Sequence, residues 1–76
     1  MVTGNKRKER IKMFGEKLRW LREERQLTQK EVAEAIGVEH NTYSGYERGS
    51  HLPSLPVLAS IIHVLRVDAN YFFMEE

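Results

Sequence analysis

Apolar positions recur every three to four residues along most of the chain and never alternate strictly, a pattern that predicts helices and no sheet. Ile11, Phe14, Leu18 and Leu21 form one stripe, so a first helix is expected from about Ile11 to Arg25, with Gly15 blurring its start. Thr28-Gln29-Lys30-Glu31 then has the spacing of a capping box, in which the Thr hydroxyl covers a free amide and the Glu reaches back. A second, short helix follows, with Val32, Ala33 and Ile36 facing inward and Gly37 placed for a left-handed cap. A third is expected over Glu39 to Arg48, carrying Tyr43 and Tyr46 on one face and ending at Gly49. After Ser50-His51-Leu52-Pro53, Ser54 can cap a fourth helix whose buried stripe reads Leu55, Leu58, Ala59, Ile62 and Leu65. Pro56 falls in its first turn, where a missing amide matters little. Asp68 can cap a last short helix carrying Tyr71, Phe72 and Phe73. The expected architecture is therefore all-α: a compact five-helix bundle over residues 11–76, preceded at residues 1–10 by a flexible basic arm with almost nothing apolar to dock.

Composition narrows the function. With 76 residues, of which 41% are apolar, the chain can build one small core but not a core around a deep substrate cavity. It has no cysteine, which excludes a disulfide framework, a zinc ribbon and thiolate chemistry. His40, His51 and His63 lack metal-ligand spacing, so no metal is expected. There is no Gly-rich phosphate loop, nucleophile signature or converging carboxylate pair, so neither an enzyme nor a cofactor or small-molecule substrate is expected. The apolar stretch Leu55 to Ile62, broken by Pro56 and Ser60, is too short for a membrane span, and the basic start is no secretory signal. A cytoplasmic location is the expectation.

The net charge of +1 conceals an asymmetry. Residues 1–25 hold nine Lys or Arg against four Glu, while residues 26–76 hold three against seven acidic residues. A basic end of this kind suits an anionic partner, and Lys6, Arg7, Lys8 and Arg10 are its candidate phosphate contacts.

The informative stretch is Gln29 to Arg48, where two short helices joined by a tight turn must cross steeply. Ala33 is small where the third helix passes, Gly37 permits the turn, and Val32, Ile36, Val38, Tyr43 and Tyr46 supply the shared apolar face. The opposite face of the third helix then presents Glu39, His40, Asn41, Ser44 and Gly45, small or polar residues suited to a groove. Here the chain resembles the phage repressor and Cro type helix-turn-helix family, the XRE-type regulators. The resemblance spans residues 14–73 and rests on LTQKEVAEAIGV, the downstream YERG and the final VDANYFF. It implies a third helix in the major groove, with Gln29 at a phosphate or flanking base, Glu39, His40, Asn41, Ser44 and Gly45 facing the groove, and Ser50 and His51 near the DNA backbone. It also implies a structural ion pair between Arg22 and Glu47. The chain departs from the family at Glu39, where Ser or Thr often caps the helix, and at Gly45, where a basic residue is common.

A single helix-turn-helix unit buries too little surface to choose one genomic site, so a homodimer on a two-fold operator is expected. Tyr71, Phe72, Phe73 and Met74 are its candidate interface. The reading is a sequence-specific double-stranded DNA-binding regulator, a repressor, with no effector domain after residue 76; it suits a free-standing protein and equally a piece of a longer one. The alternative is a protein-interaction module of the same fold, of the antitoxin or anti-repressor-target kind.

Overall fold

The computed structural model describes the backbone of residues 3–68 and the side chains of residues 9–68. Within these residues the chain forms four helices: α1 (Thr3–Glu24), α2 (Gln29–Ile36), α3 (His40–Arg48) and α4 (Leu55–Leu65). The described residues thus hold four helices rather than five, and the expected helix at Tyr71, Phe72 and Phe73 lies outside them. The first helix also starts earlier than the Ile11 expected, so the backbone of residues 3–10 is helical where an arm was anticipated. Lys6, Arg7, Lys8 and Arg10 are good helix formers, and nothing among them stops a helix extending backward from Ile11.

All four helices end in the same way. A residue in the left-handed region follows each, at Gln26, Gly37, Gly49 and Arg66. The next amide then returns to a carbonyl five residues back: Leu27 to Arg22, Val38 to Ala33, Ser50 to Gly45 and Val67 to Ile62, at 2.9–3.2 Å. The helix starts are secured as the side chains allow. Thr28 Oγ1 accepts from the Glu31 amide at 3.0 Å while Glu31 Oε1 accepts from the Thr28 amide at 2.8 Å, completing the capping box. Ser54 Oγ accepts from the Val57 amide. Glu39 occupies the cap of α3 without a side-chain hydrogen bond.

The core is built from Leu18 and Leu21 of α1, Val32, Ala33 and Ile36 of α2, Tyr43 and Tyr46 of α3, and Ile61 and Leu65 of α4. Each large apolar side chain here stabilises the fold by ~1.5–3 kcal/mol through burial. Two glycines bring elements close. A Cβ on Gly15 would overlap the backbone oxygens of Glu47 and Tyr46, so α1 crosses the end of α3 at nearly direct backbone contact. A Cβ on Gly49 would sit 3.2 Å from Lys12 Cα, beside the same crossing.

On α4 the buried face is turned from the one expected. Ile61 and Leu65 are the fully buried residues, with Val57, Ile62 and Val64 packed against the core, whereas Leu55 is 80% exposed and Ala59 is exposed. Only Ser60 and His63, one turn apart and roughly opposite Ile61 and Leu65, mark a polar side on this otherwise apolar helix. Docking against α2 decides the matter. At its far end, Arg25 Nε donates to the Leu65 carbonyl, tying the close of α1 to the close of α4.

Candidate nucleic-acid interface

The turn between α2 and α3 is short because Gly37 reverses the chain at φ 79° and Val38 tucks back onto the core. The start of α3 is thereby set beside the start of α2. His40 Nε2 lies 3.3 Å from Gln29 Oε1, and Gln29 Nε2 donates to Glu47 Oε1 at 2.9 Å. Behind them, Arg22 Nε donates to Glu47 Oε2 at 2.6 Å and Arg22 Nη2 to Oε1 at 3.1 Å, a bidentate pair. Arg22 Nη1 donates to the Leu27 carbonyl at 2.7 Å, and the Tyr43 hydroxyl donates to Glu47 Oε2 at 2.6 Å. One buried carboxylate thus collects donors from α1, α2 and α3.

The electrostatics follow from that saturation. Burial alone would push the Glu47 carboxyl up, but hydrogen bonds from Arg22, Tyr43 and Gln29, with the Arg22 charge, hold it below the ordinary carboxylate value. The hydrogen bond to Glu47 raises Arg22 against its own burial. Burial, then the donated bond to Glu47, push the Tyr43 hydroxyl up, so it remains a donor.

Outside this cluster, Glu39, His40 and Asn41 are exposed at the start of α3, and Ser44 is half-buried one turn on. The Ser44 hydroxyl accepts from Arg48 Nη1 at 2.6 Å, which places an exposed guanidinium next to it. Ser50 and His51 are exposed in the following loop. Gly45 is not on the open face as expected. It is buried, and the His51 ring lies over it, edge-on to Tyr46 with centroids 5.1 Å apart. Because Gly45 has no side chain, the loop can fold back onto α3. Of the expected basic contacts, Arg10 is an exposed residue of α1, and the side chains of Lys6, Arg7 and Lys8 lie outside those described. Tyr71, Phe72, Phe73 and Met74 also lie outside the described residues.

Sequence reading missed three features. Tyr43 belongs to the apolar core, yet its hydroxyl serves Glu47, and their i,i+4 spacing on one helix is the signal in the sequence. Arg48 on the outer face has the same i,i+4 relation to Ser44. The bond from Gln29 to Glu47 spans eighteen residues and left no local mark.

These elements define a class: a small helical domain whose third helix presents an exposed polar face from a helix-turn-helix. The chain belongs to the helix-turn-helix domain family, whose model matches residues 13–70. It is 49% identical over 49 residues, 64% of its length, to the Cryptic phage CTXphi transcriptional repressor RstR of Vibrio cholerae, covering 44% of that protein. It is 34% identical over 64 residues, 84% of its length, to the uncharacterized HTH-type transcriptional regulator YqaE of Bacillus subtilis, covering 55% of it. It is also 34% identical over 65 residues, 86% of its length, to the ImmF control region 10 kDa protein of Bacillus phage phi105, covering 72% of it. The chain spans about half the length of the first two relatives. No solved structure is significantly similar to it. The resemblance to phage repressor and XRE-type regulators is therefore borne out. Among the described residues no helix is long and apolar enough to cross a membrane.

Proposed function

We propose that the chain is a sequence-specific double-stranded DNA-binding regulator of transcription, a repressor, that binds a two-fold operator as a homodimer in the cytoplasm. The observation that carries this reading is the exposed start of α3, with His40 and Asn41 beside Gln29 at the start of α2. Two adjoining helix starts offer side chains to base edges and backbone amides to phosphates together. Asn41 can donate to and accept from one adenine, His40 and Ser44 can each reach a base edge, and Glu39 can accept from cytosine N4. Gln29, Ser50, His51 and Arg48 are suited to the sugar-phosphate backbone, as are Lys6, Arg7, Lys8 and Arg10 of the basic end. Arg22 and Glu47 serve by holding Gln29 and the third helix in place. The phage-repressor name of one relative supports repression.

Dimerisation is assigned to Tyr71, Phe72, Phe73 and Met74 on their apolar, largely aromatic content alone. Titration of duplex DNA at several salt concentrations tests the function: affinity falling steeply with salt supports it. No duplex binding at low salt, together with a tight protein partner, would mark a protein-interaction module instead.

A further inference from the structure

The Glu47 cluster dictates the chemistry of an exposed atom two side chains away. An ionised carboxylate offers only lone pairs, so the Gln29 atom 2.9 Å from Glu47 Oε1 must be the amide NH2 and not its oxygen. Glu47 is kept ionised by the two-point contact with Arg22. The Gln29 amide therefore has one orientation, and its oxygen is the atom that faces His40 Nε2 at 3.3 Å. Two lone-pair atoms at that distance would repel, so Nε2 carries the hydrogen. In a neutral imidazole the other nitrogen, Nδ1, is then bare and can only accept.

We propose that the relay Arg22, Glu47, Gln29 makes neutral His40 a hydrogen-bond acceptor toward DNA. It takes a bond from a base amino group, adenine N6 or cytosine N4, instead of donating to purine N7, guanine O6 or thymine O4. His40 is a specificity-determining residue in this scheme, and Gln29 and Glu47 are positioning residues that act through it. The proposal rests on the DNA-binding reading above, but its first half is testable without DNA.

Long-range 1H–15N NMR of the labelled chain alone, at about pH 8.5 where an ordinary imidazole is neutral, reads the His40 tautomer directly. The Nε2–H form should be more populated in the folded chain than in the same chain unfolded in urea, and Gln29→Ala should return it toward the unfolded ratio. A folded ratio equal to the unfolded one, or shifted toward Nδ1–H, would overturn the relay. The second arm uses the duplex base pair whose preference is lost in His40→Ala. At that pair, replacing the adenine by 2-aminopurine, or the cytosine by its analogue lacking the N4 amino group, should weaken binding about fivefold, the worth of one ordinary hydrogen bond. Replacing purine N7 by carbon should leave affinity unchanged. The reverse pattern would overturn the acceptor assignment even with the relay intact. A chain that binds no duplex at all refutes the DNA-binding reading, and with it the base contact, while the NMR arm still reports on the relay.

Discussion

Arg22 and Glu47, twenty-five positions apart, meet through paired hydrogen bonds of 2.6 and 3.1 Å, with side chains 12% and 3% exposed. Breaking one side of such a buried pair strands a charge and typically costs ~3–5 kcal/mol, a large part of a small domain's stability. Glu47→Ala should therefore melt far below the parent, and the fraction still folded should lose the base preference set through Gln29 and His40. The pH dependence has a definite sign. The Glu47 carboxyl is held below its ordinary value of 4.5, so its stabilisation is complete above that value and disappears as pH falls through the lower, folded one. Melting followed from neutral to acid pH should show this loss in the parent and less of it in Glu47→Gln. If Glu47→Ala melts like the parent, the pair does not hold the fold.

Two buried glycines should respond differently to alanine. At Gly15 the added methyl meets the Glu47 and Tyr46 backbone oxygens, which cannot move without parting α1 from α3. Overpacking of this kind costs about 1–3 kcal/mol. At Gly45 it meets the ring of His51, an exposed side chain free to swing away. Gly15→Ala should lower the melting temperature clearly and Gly45→Ala much less, with Gly45→Ala, His51→Ala recovering the remainder. Equal losses at both positions would contradict the close approach of α1 to α3.

Gln26 caps α1 in the left-handed region at φ 58°, a conformation that places its Cβ against the following carbonyl. Its side chain is exposed. Gln26→Gly should stabilise the chain, by up to about 1 kcal/mol, as a glycine cap relieves that strain. A lower melting temperature would show that the added freedom of the unfolded chain outweighs the strain.

Those caps show how much of the fold was legible. Gly37 and Gly49 announced two of the four helix ends, whereas Gln26 and Arg66 adopt the same conformation without a residue type that signals it. The Thr28 capping box and the Ser54 cap were readable because their partners lie three residues away. The buried face of α4 was harder to place, because Leu55 is as apolar as Ile61 and Ser60 and His63 are the only polar side chains on the helix. At the candidate interface, His40, Asn41 and Ser44 followed from helical spacing opposite Tyr43 and Tyr46. The burial of Gly45 did not, since it depends on a loop histidine folding back. Nor could local pattern reveal that Gln29 bridges Glu47 and His40, a relation made where the start of α2 meets α3.

Readout and anchoring should separate by mutation. Asn41→Ala should cost ~1–3 kcal/mol at one operator position with little loss on non-specific DNA, since a bidentate base contact carries sequence information. Deleting residues 1–10 removes Lys6, Arg7, Lys8 and Arg10, and should flatten the salt dependence by up to about four counterions' worth without changing the preferred sequence. Fluorescence anisotropy across a salt series measures both. An unchanged slope would make the basic end a solvated tail, and an Asn41→Ala loss equal on all sequences would remove Asn41 from base reading.

The central claim, that the exposed face of α3 reads duplex DNA, is tested most directly by selecting bound duplexes from a random pool with the parent chain and with His40→Ala, Asn41→Ala. The parent should enrich one sequence with two-fold symmetry and half-sites about one helical turn apart, bound by two chains in sedimentation. The double variant, folded as judged by its melting temperature, should lose that preference. Enrichment of no sequence by the parent, or of the same sequence by both chains, would contradict the account.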